Sequence, residues 1–107
     1  MRQARPGGHM TLYVALAEWT EQGVRNFWDT ADRVEEAKTF ASQFGVQLLD
    51  LIWTPGGQYH MIGIFEAPDD ATFTAYMLTI ESMGGVRATW TPGYRLDEMR
   101  EVISKSR

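Results

Sequence analysis

Cysteine is absent from this chain, and histidine occurs only twice. Without cysteine the protein has no disulfide framework, no thiolate nucleophile and no cysteine metal site. Only His60 lies in the part of the chain that we expect to fold, and one histidine gives no recognisable spacing of metal ligands. We therefore predict that the protein binds no metal and no cofactor.

Long apolar runs and clusters of basic residues are also missing. No stretch approaches the roughly 18 apolar residues that a membrane span needs. The ten lysines and arginines form no run, and the net charge of -4 at pH 7 argues against a surface for nucleic acid. We predict a cytoplasmic protein that binds neither membranes nor nucleic acid.

The first ten residues, MRQARPGGHM, are basic but lack the apolar core of a signal peptide. We expect residues 1–10 to form a disordered extension. One interpretation is that residues 7–10 remain from an expression tag, with Met10 as the natural start. Residues 11–107 are enough for a single domain with one core.

The most informative stretch is residues 52–70, IWTPGGQYHMIGIFEAPDD. Its Pro-Gly-Gly supplies the fixed and the permissive φ angles of a hairpin turn. Strict alternation follows from Tyr59 to Glu66, which is the period of a strand. Asp69 and Asp70 then precede an apolar helical stripe, so we assign them to a helix cap rather than to a metal or acid-base site.

Hydrophobic periodicity and breaker residues predict seven elements along the chain. Thr30 is the expected N-cap of the first helix, and Gly45 the residue that ends it. The predicted strands span residues 11–19, 46–53, 59–66 and 86–91, and the predicted helices span 30–44, 70–83 and 97–104. The order β-α-β-β-α-β is that of the ferredoxin-like α+β fold, a four-stranded antiparallel sheet with two helices on one face.

The pattern of apolar residues predicts that the sheet associates with a second copy. We expect the helices to cover one face, formed by Leu12, Val14, Leu16, Leu49, Leu51, Ile62, Ile64 and Val86. The other face would then expose Tyr13, Ala15, Ala17, Trp19, Leu48, Ile52, Tyr59, Met61 and Phe65. Because a monomer rarely exposes so much apolar surface, we predict a homo-oligomer, either a dimer or a multiple of dimers, in which sheets pair face to face. A register error of one residue would exchange the two faces.

Aromatic residues supply the candidates for ligand binding. One role for them is to line a pocket between the sheet and its partner that takes a small aromatic or apolar molecule. The candidate ligand-binding residues are Tyr13, Trp19, Trp53, Tyr59, His60 and Arg87. The role that we favour for the aromatic residues is to anchor the dimer interface, and the two roles are compatible.

His60 and Asp50 are the weak candidates for catalysis. An imidazole can act as a general base near neutral pH, but a histidine beside a turn is more often structural. We expect Asp50 and Arg87 at opposite edges of the sheet, where they could form a structural ion pair across a dimer. The less favoured alternative is that Asp50 is a base with a perturbed pKa.

Several motifs resemble those of the GYD domain family. Trp19-Thr20, Gln22-Gly23 and Arg25-Asn26 are similar to the family's signature after the first strand, and Gly57-Gln58-Tyr59-His60 resembles the Gly-x-Tyr-Asp motif that gives the family its name. Glu66-Ala67-Pro68-Asp69-Asp70 and Gly85-Val86-Arg87 also fit.

This resemblance covers nearly the whole chain from Thr11 onward. It implies a small bacterial or archaeal protein with a ferredoxin-like fold of the dimeric α+β-barrel type. The one departure is His60, which stands where the family motif has aspartate. The resemblance strengthens the fold prediction and implies no biochemical role.

Three functions remain open at this point. The favoured one is a homo-oligomeric small-molecule-binding or accessory protein without catalytic activity. The second is a cofactor-independent enzyme, of the monooxygenase or isomerase type, that acts on an aromatic substrate. This second function depends on fold analogy, which does not transfer activity. The third is a regulatory subunit that binds another protein through an edge strand or through Phe27 and Trp28.

Overall fold

A computed structural model of the protein describes residues 10–106. Its strands are β1 (Thr11–Trp19), β2 (Gln47–Trp53), β3 (Met61–Ala67) and β4 (Val86–Gly93), and its α-helices are α1 (Glu21–Arg25), α2 (Val34–Gln43), α3 (Asp70–Ser82) and α4 (Leu96–Ser104). The predicted disordered extension falls on residues 1–9, outside the described residues, and on Met10. None of the helices between residues 10 and 106 has both the length and the apolar character that a membrane crossing requires.

The four strands form one antiparallel sheet in the order β2-β3-β1-β4. This order, with α2 and α3 in the two crossovers, confirms the predicted ferredoxin-like α+β fold. The sheet places β1 and β3 at its centre and leaves β2 and β4 as edge strands. The face-to-face pairing with a second copy stays a prediction.

The start of α3 and the C-terminal ends of both α2 and α3 lie where the sequence predicted them. The Asp69 carboxylate accepts a hydrogen bond from the backbone N–H of Thr72 at 2.7 Å, as expected for an N-cap, and this bond holds the pKa of Asp69 below its ordinary value. Gly45 and Gly84 follow α2 and α3 with φ angles of 77° and 88°. Glycine adopts this left-handed conformation at no steric cost, so both helices end where the sequence predicted.

The predicted start of the first long helix was wrong. Two short 3₁₀ turns, Phe27–Asp29 and Ala31–Arg33, occupy the segment before α2. Thr30 makes no capping hydrogen bond; its hydroxyl oxygen instead accepts the indole N–H of Trp53 at 3.3 Å. A tertiary contact to β2 therefore replaces the local cap that the sequence suggested.

The assignment of the sheet faces was also wrong for the two central strands. Tyr13, which we expected on the open face, is only 2% exposed and stacks on Phe73 with ring centroids 4.4 Å apart. The buried core beneath α2 and α3 consists of Tyr13, Ala15, Ala41, Val46, Leu48, Phe65, Ala67, Phe73, Tyr76 and Met77. Leu12, Val14, Leu16, Ile62 and Ile64 lie on the opposite face.

Side-chain size explains this exchange of faces. Helix α3 places the rings of Phe73 and Tyr76 against the sheet, and Phe65 packs between them. The small residues Ala15 and Gly63 pair with each other in the register of β1 and β3 and leave room for these rings. The aromatic and small residues therefore complement the helices better than the branched side chains would.

A bulge in β2 interrupts the alternation of side chains between the two faces of the sheet. Leu48 pairs with Phe65 and Asp50 pairs with Ile64, so Leu49 is the extra residue. Leu48 is buried and Leu49 is 39% exposed, which reverses both predictions. Ile52 lies on the face not covered by α2 and α3, as expected.

We call this uncovered side the open face. Its apolar residues are Leu12, Val14, Leu16, Ile52, Ile62 and Ile64, and its polar residues are Glu18, Asp50, Glu66, Arg87, Thr89 and Thr91. Leu12 is buried but lies outside the core cluster, and the other five apolar residues are half-buried or exposed. The open face therefore remains strongly apolar after the correction, although different residues form it.

Candidate functional site

The candidate site lies at the end of the sheet where β1 ends and where β3 and β4 begin. Trp19, the last residue of β1, pairs with Val86, and Ala17 pairs with Met61. Helix α1 follows immediately, capped by the Thr20 hydroxyl, which accepts the backbone N–H of Gly23 at 3.1 Å. Sequence periodicity missed α1 because it has only five residues and contains a glycine.

Helix α1 is held closely against the turn between α3 and β4. The backbone N–H of Thr20 donates to the carbonyl of Gly85 at 3.0 Å, and the Thr20 hydroxyl donates to the carbonyl of Gly84 at 2.6 Å. A Cβ at Gly23 would lie 2.0 Å from the Gly85 carbonyl oxygen. Only glycine allows this approach, so residue 23 fixes the distance between the two walls of the site.

A cleft of about 210 Å³ opens between α1, the first 3₁₀ turn and the start of β4. We call it the aromatic cleft. It is lined by Trp19, Gln22, Gly23, Asn26, Phe27, Thr30, Arg33, Met61, Met83, Gly85 and Val86. Aromatic rings and thioethers form its apolar walls, and amide groups and one guanidinium form its rim.

Four aromatic side chains, of which Trp19 and Phe27 line the cleft, form a continuous series. The ring of His60 stacks on Trp19 at 5.3 Å between centroids, and Trp19 lies 6.4 Å from Phe27. Phe27 stacks in turn on Trp28 at 4.5 Å. Trp28 is 83% exposed, an unusual environment for the largest apolar side chain.

The hydrogen bonds of His60 define its chemical state in this arrangement. Its Nδ1 accepts the backbone N–H of Trp19 at 2.9 Å. In the neutral imidazole the proton is therefore on Nε2. Neither ring nitrogen then offers a free lone pair, so the ring is positioned as a structural acceptor rather than as a general base.

The charge of the cleft comes from its rim. Among the described residues that line it, Arg33 alone is charged, and its guanidinium lies 3.2 Å from the carboxylate of Asp29. Both side chains are about half exposed, so this pair contributes little to stability. No group of three or more histidine, aspartate or glutamate side chains within residues 10–106 is placed to hold a metal ion.

The comparison with protein families agrees with these features. The family model described as GYD domain matches residues 13–103. The chain belongs to the GYD domain family. No curated protein and no solved structure matches the chain.

The structure shows what the GYD motif does in this member of the family. Gly57, Gln58, Tyr59 and His60 form the end of the hairpin connection between β2 and β3. The carbonyl of Tyr59 accepts the Thr54 hydroxyl at 2.6 Å, and the backbone N–H of His60 donates to the carbonyl of Ala17 at 2.8 Å. A carboxylate at position 60 could accept the Trp19 N–H as the imidazole does, so aspartate and histidine are chemically equivalent in this one respect.

The structure brings together some of the predicted site residues and separates others. Trp19 and His60 stack beside the aromatic cleft, and Trp53 reaches its rim through Thr30. Tyr59 is half-buried in the hairpin turn. The predicted position of Tyr13 in an intersubunit pocket was wrong, because this ring lies in the core under α3.

Tyr13 is instead a buried residue of the hydrophobic core. Burial raises the pKa of the Tyr13 phenol well above its ordinary value, and the carboxylate of Asp70, which accepts a hydrogen bond from the phenol, raises it further. Asp50 and Arg87 are exposed at opposite edges of the open face. Asp50 pairs with Ile64, further along β3 from His60. The two weak catalytic candidates therefore do not converge.

The sequence pattern did not predict several residues of the cleft, notably Met61, Met83 and Arg33. Met83 follows α3 and Arg33 precedes α2, so only the folded chain brings them to Trp19. The available signal was the pair Phe27-Trp28 within an otherwise polar connection, which indicated exposed aromatic surface near β1.

Proposed function

We propose that this protein is a homo-oligomeric binding or accessory protein without catalytic activity, and that it holds a small aromatic or apolar molecule in the aromatic cleft. The observation that carries the proposal is the pairing of Trp19 and Phe27 with the thioethers of Met61 and Met83 around an open volume. The volume of about 210 Å³ is below the roughly 300 Å³ at which pockets for drug-sized ligands begin, so it suits a ligand with a single ring.

The chemistry of the cleft supports binding over catalysis. None of its described lining residues is an acid or a histidine. The nearest imidazole, that of His60, uses Nδ1 as an acceptor for the Trp19 backbone. General acid-base catalysis would need a titratable proton acceptor within hydrogen-bond reach of the substrate, and the described lining supplies no carboxylate or imidazole for that role.

The open face supports self-association. Its centre consists of Val14, Leu16, Ile62 and Ile64, which are only half-buried in the single chain. A second copy of the sheet, packed face to face by twofold symmetry, would bury these residues in the manner of a sandwich core. Asp50 at one edge and Arg87 at the other provide opposite charges for the two margins of such an interface.

Ligand binding is tested by NMR titration of isotopically labelled protein with phenol, a single-ring probe. We expect saturable shifts of the Trp19 indole N–H, and no comparable shift of the Trp90 indole, which packs at the core against Phe73. Phe27→Ala should weaken binding several-fold, whereas Leu78→Ala, on the exposed side of α3, should not. Absence of saturable shifts at millimolar phenol would refute the binding proposal.

Self-association is tested by native mass spectrometry and by light scattering on an Ile64→Glu variant. We expect a dimer or a multiple of dimers for the wild type and a monomer for the variant. The control is Leu78→Glu, which places the same charge at an exposed site of the helical layer and should leave the mass unchanged. A wild-type monomer, or an oligomer unaffected by Ile64→Glu, would contradict this part of the proposal.

A further inference from the structure

Two hydrogen-bond donors lie next to each other in the lining of the aromatic cleft. Thr30 and Arg33 both line it, and they stand at the start and at the end of the second 3₁₀ turn. The backbone N–H of Arg33 donates to the Thr30 carbonyl at 3.3 Å. Because residues three apart are eclipsed in a 3₁₀ turn, their side chains leave the same side of the turn. A hydroxyl and a guanidinium are therefore neighbours beside the aromatic walls.

The Thr30 hydroxyl has a proton that it can donate to a ligand. Its oxygen accepts the indole N–H of Trp53 at 3.3 Å, and within residues 10–106 the hydroxyl itself donates to no acceptor. A hydroxyl that accepts one hydrogen bond can still donate one. The Trp53 indole therefore holds the oxygen in place and leaves the proton for an acceptor in the cleft.

The Arg33 guanidinium also has donors to spare. Its Nη2 lies 3.2 Å from one carboxylate oxygen of Asp29, which is its one charged partner in the described part of the chain. A guanidinium carries five N–H donors in a planar fork, so this single contact leaves most of them available. Both side chains are about half exposed, so water screens their attraction. A ligand carboxylate can share the guanidinium without displacing Asp29.

The two amide side chains of the lining connect parts of the backbone. Gln22 donates through Nε2 to the carbonyl of Met83 at 3.3 Å, and Asn26 donates through Nδ2 to the carbonyl of Gln22 at 3.1 Å. None of the described lining residues is an acid. A ligand with a negative charge therefore meets a cation and a hydroxyl in the cleft, and it meets no carboxylate in the described lining.

The charge of the whole chain narrows the kind of anion that the cleft accepts. The net charge of -4 repels anions in general, so any preference for an anion has to come from the local guanidinium. One guanidinium and one hydroxyl suit the two oxygens and the single charge of a carboxylate. A phosphate with two charges would need more positive charge than the described lining supplies.

We infer that the ligand of the aromatic cleft is a single-ring aromatic carboxylate, with its ring against Trp19 and Phe27 and its carboxylate on Arg33 and Thr30. The inference rests on the binding function proposed above and names the chemical class of the ligand. Because Arg33 is about half exposed, water and salt limit its contribution, and the preference for the charged ligand is several-fold.

The test compares benzoate with benzamide, which has the same ring and nearly the same shape but no charge. Both are titrated into isotopically labelled protein near neutral pH, and the Trp19 indole N–H is followed by NMR. We expect benzoate to bind about fivefold more tightly than benzamide, with a ratio that falls as sodium chloride is added. Arg33→Gln should reduce the affinity for benzoate to that for benzamide and leave the affinity for benzamide unchanged.

Arg25→Gln is the matched control. Arg25 also pairs with an acid one helical turn away, Glu21 at 3.5 Å, but it does not line the cleft. The control should therefore keep the preference for benzoate. Asp29→Asn removes the carboxylate that shares the Arg33 guanidinium, so it should raise the affinity for benzoate several-fold and leave that for benzamide unchanged.

The outcomes separate this inference from the binding function on which it rests. If the wild type binds benzoate and benzamide equally, or if Arg25→Gln reduces the preference as much as Arg33→Gln does, the inference is refuted and the binding function stands. A lower affinity for benzoate in Asp29→Asn would also refute the shared guanidinium. If benzoate, benzamide and phenol all fail to shift the Trp19 indole saturably, both are refuted.

Discussion

Replacing Gly23 by alanine is the most direct perturbation of the aromatic cleft. The new methyl carbon would lie 2.0 Å from the carbonyl oxygen of Gly85, a backbone atom that cannot rotate away. Helix α1 and the start of β4 must therefore separate. The separation would break or stretch the two hydrogen bonds that Thr20 donates to Gly84 and Gly85.

The expected change in stability follows from three contributions. Loss of two hydrogen bonds costs about 1 kcal/mol each, and forcing the extra methyl group into a packed contact costs about 1 to 3 kcal/mol. Alanine is better than glycine inside a helix by about 1 kcal/mol, which offsets part of the cost. We therefore expect Gly23→Ala to lower the free energy of unfolding by about 2 to 4 kcal/mol.

The assay is urea unfolding at a fixed protein concentration, followed by circular dichroism, because association makes the apparent stability depend on concentration. The matched control is Gly85→Ala on the other side of the same contact, where a Cβ would meet nothing within 4 Å. We expect the control to change stability by less than about 0.5 kcal/mol. A Gly23→Ala protein as stable as this control would show that the close approach is not a constraint on the fold.

Two further predictions concern buried tyrosines. Tyr13→Phe keeps the stack on Phe73 but removes the hydrogen bond to Asp70, so urea unfolding at pH 7 should show a loss of about 1 to 2 kcal/mol; an unchanged stability would contradict the role assigned to this hydroxyl. Burial raises the pKa of Tyr76 from 10.0 to about 12. Its contribution to stability is therefore fully present below pH 10 and is lost between pH 10 and 12, by about 1.4 kcal/mol per pH unit. Unfolding free energies measured from pH 9 to 11.5 should fall less steeply for Tyr76→Phe than for the wild type. Parallel profiles would show that ionisation of Tyr76 does not contribute to the loss of stability.

The sequence was sufficient for the order and type of most elements. Strand β1 was predicted with its observed bounds, and α3 was placed within one residue, because alternation, capping and glycine signals agree locally at these positions. The segment between β1 and α2 was not predictable in the same way. There the short helix α1 and two 3₁₀ turns depend on contacts with β2 and with the turn before β4.

Alternation could not decide which face of the sheet is buried. Both faces of β1 are apolar, since Tyr13 and Ala15 alternate with Val14 and Leu16. The choice depends on how well the side chains fit against α3, and that information lies in residues 73–77, far along the chain. The bulge at Leu49 then shifts the alternation of buried and exposed side chains along β2, and no residue near Leu49 predicts this bulge.

The cleft was only partly predictable for a similar reason. Trp19 and His60 were singled out individually, and they do stack. Their neighbours Met83 and Arg33 flank helices in distant parts of the sequence, so their contribution appears only when the chain is folded. Trp53 reaches the rim of the cleft only through its hydrogen bond to Thr30.

The central position of β1 also has a consequence for folding while the protein is being synthesised on the ribosome. Its two neighbours are β3 and β4, and Leu12 near its start pairs with Gly93 at the end of the last strand. Strand β1 is therefore synthesised first and acquires its second neighbour last. Until β4 has emerged, β1 retains an unpaired edge beside an apolar face, so this interval is when the nascent chain depends most on protection from aggregation.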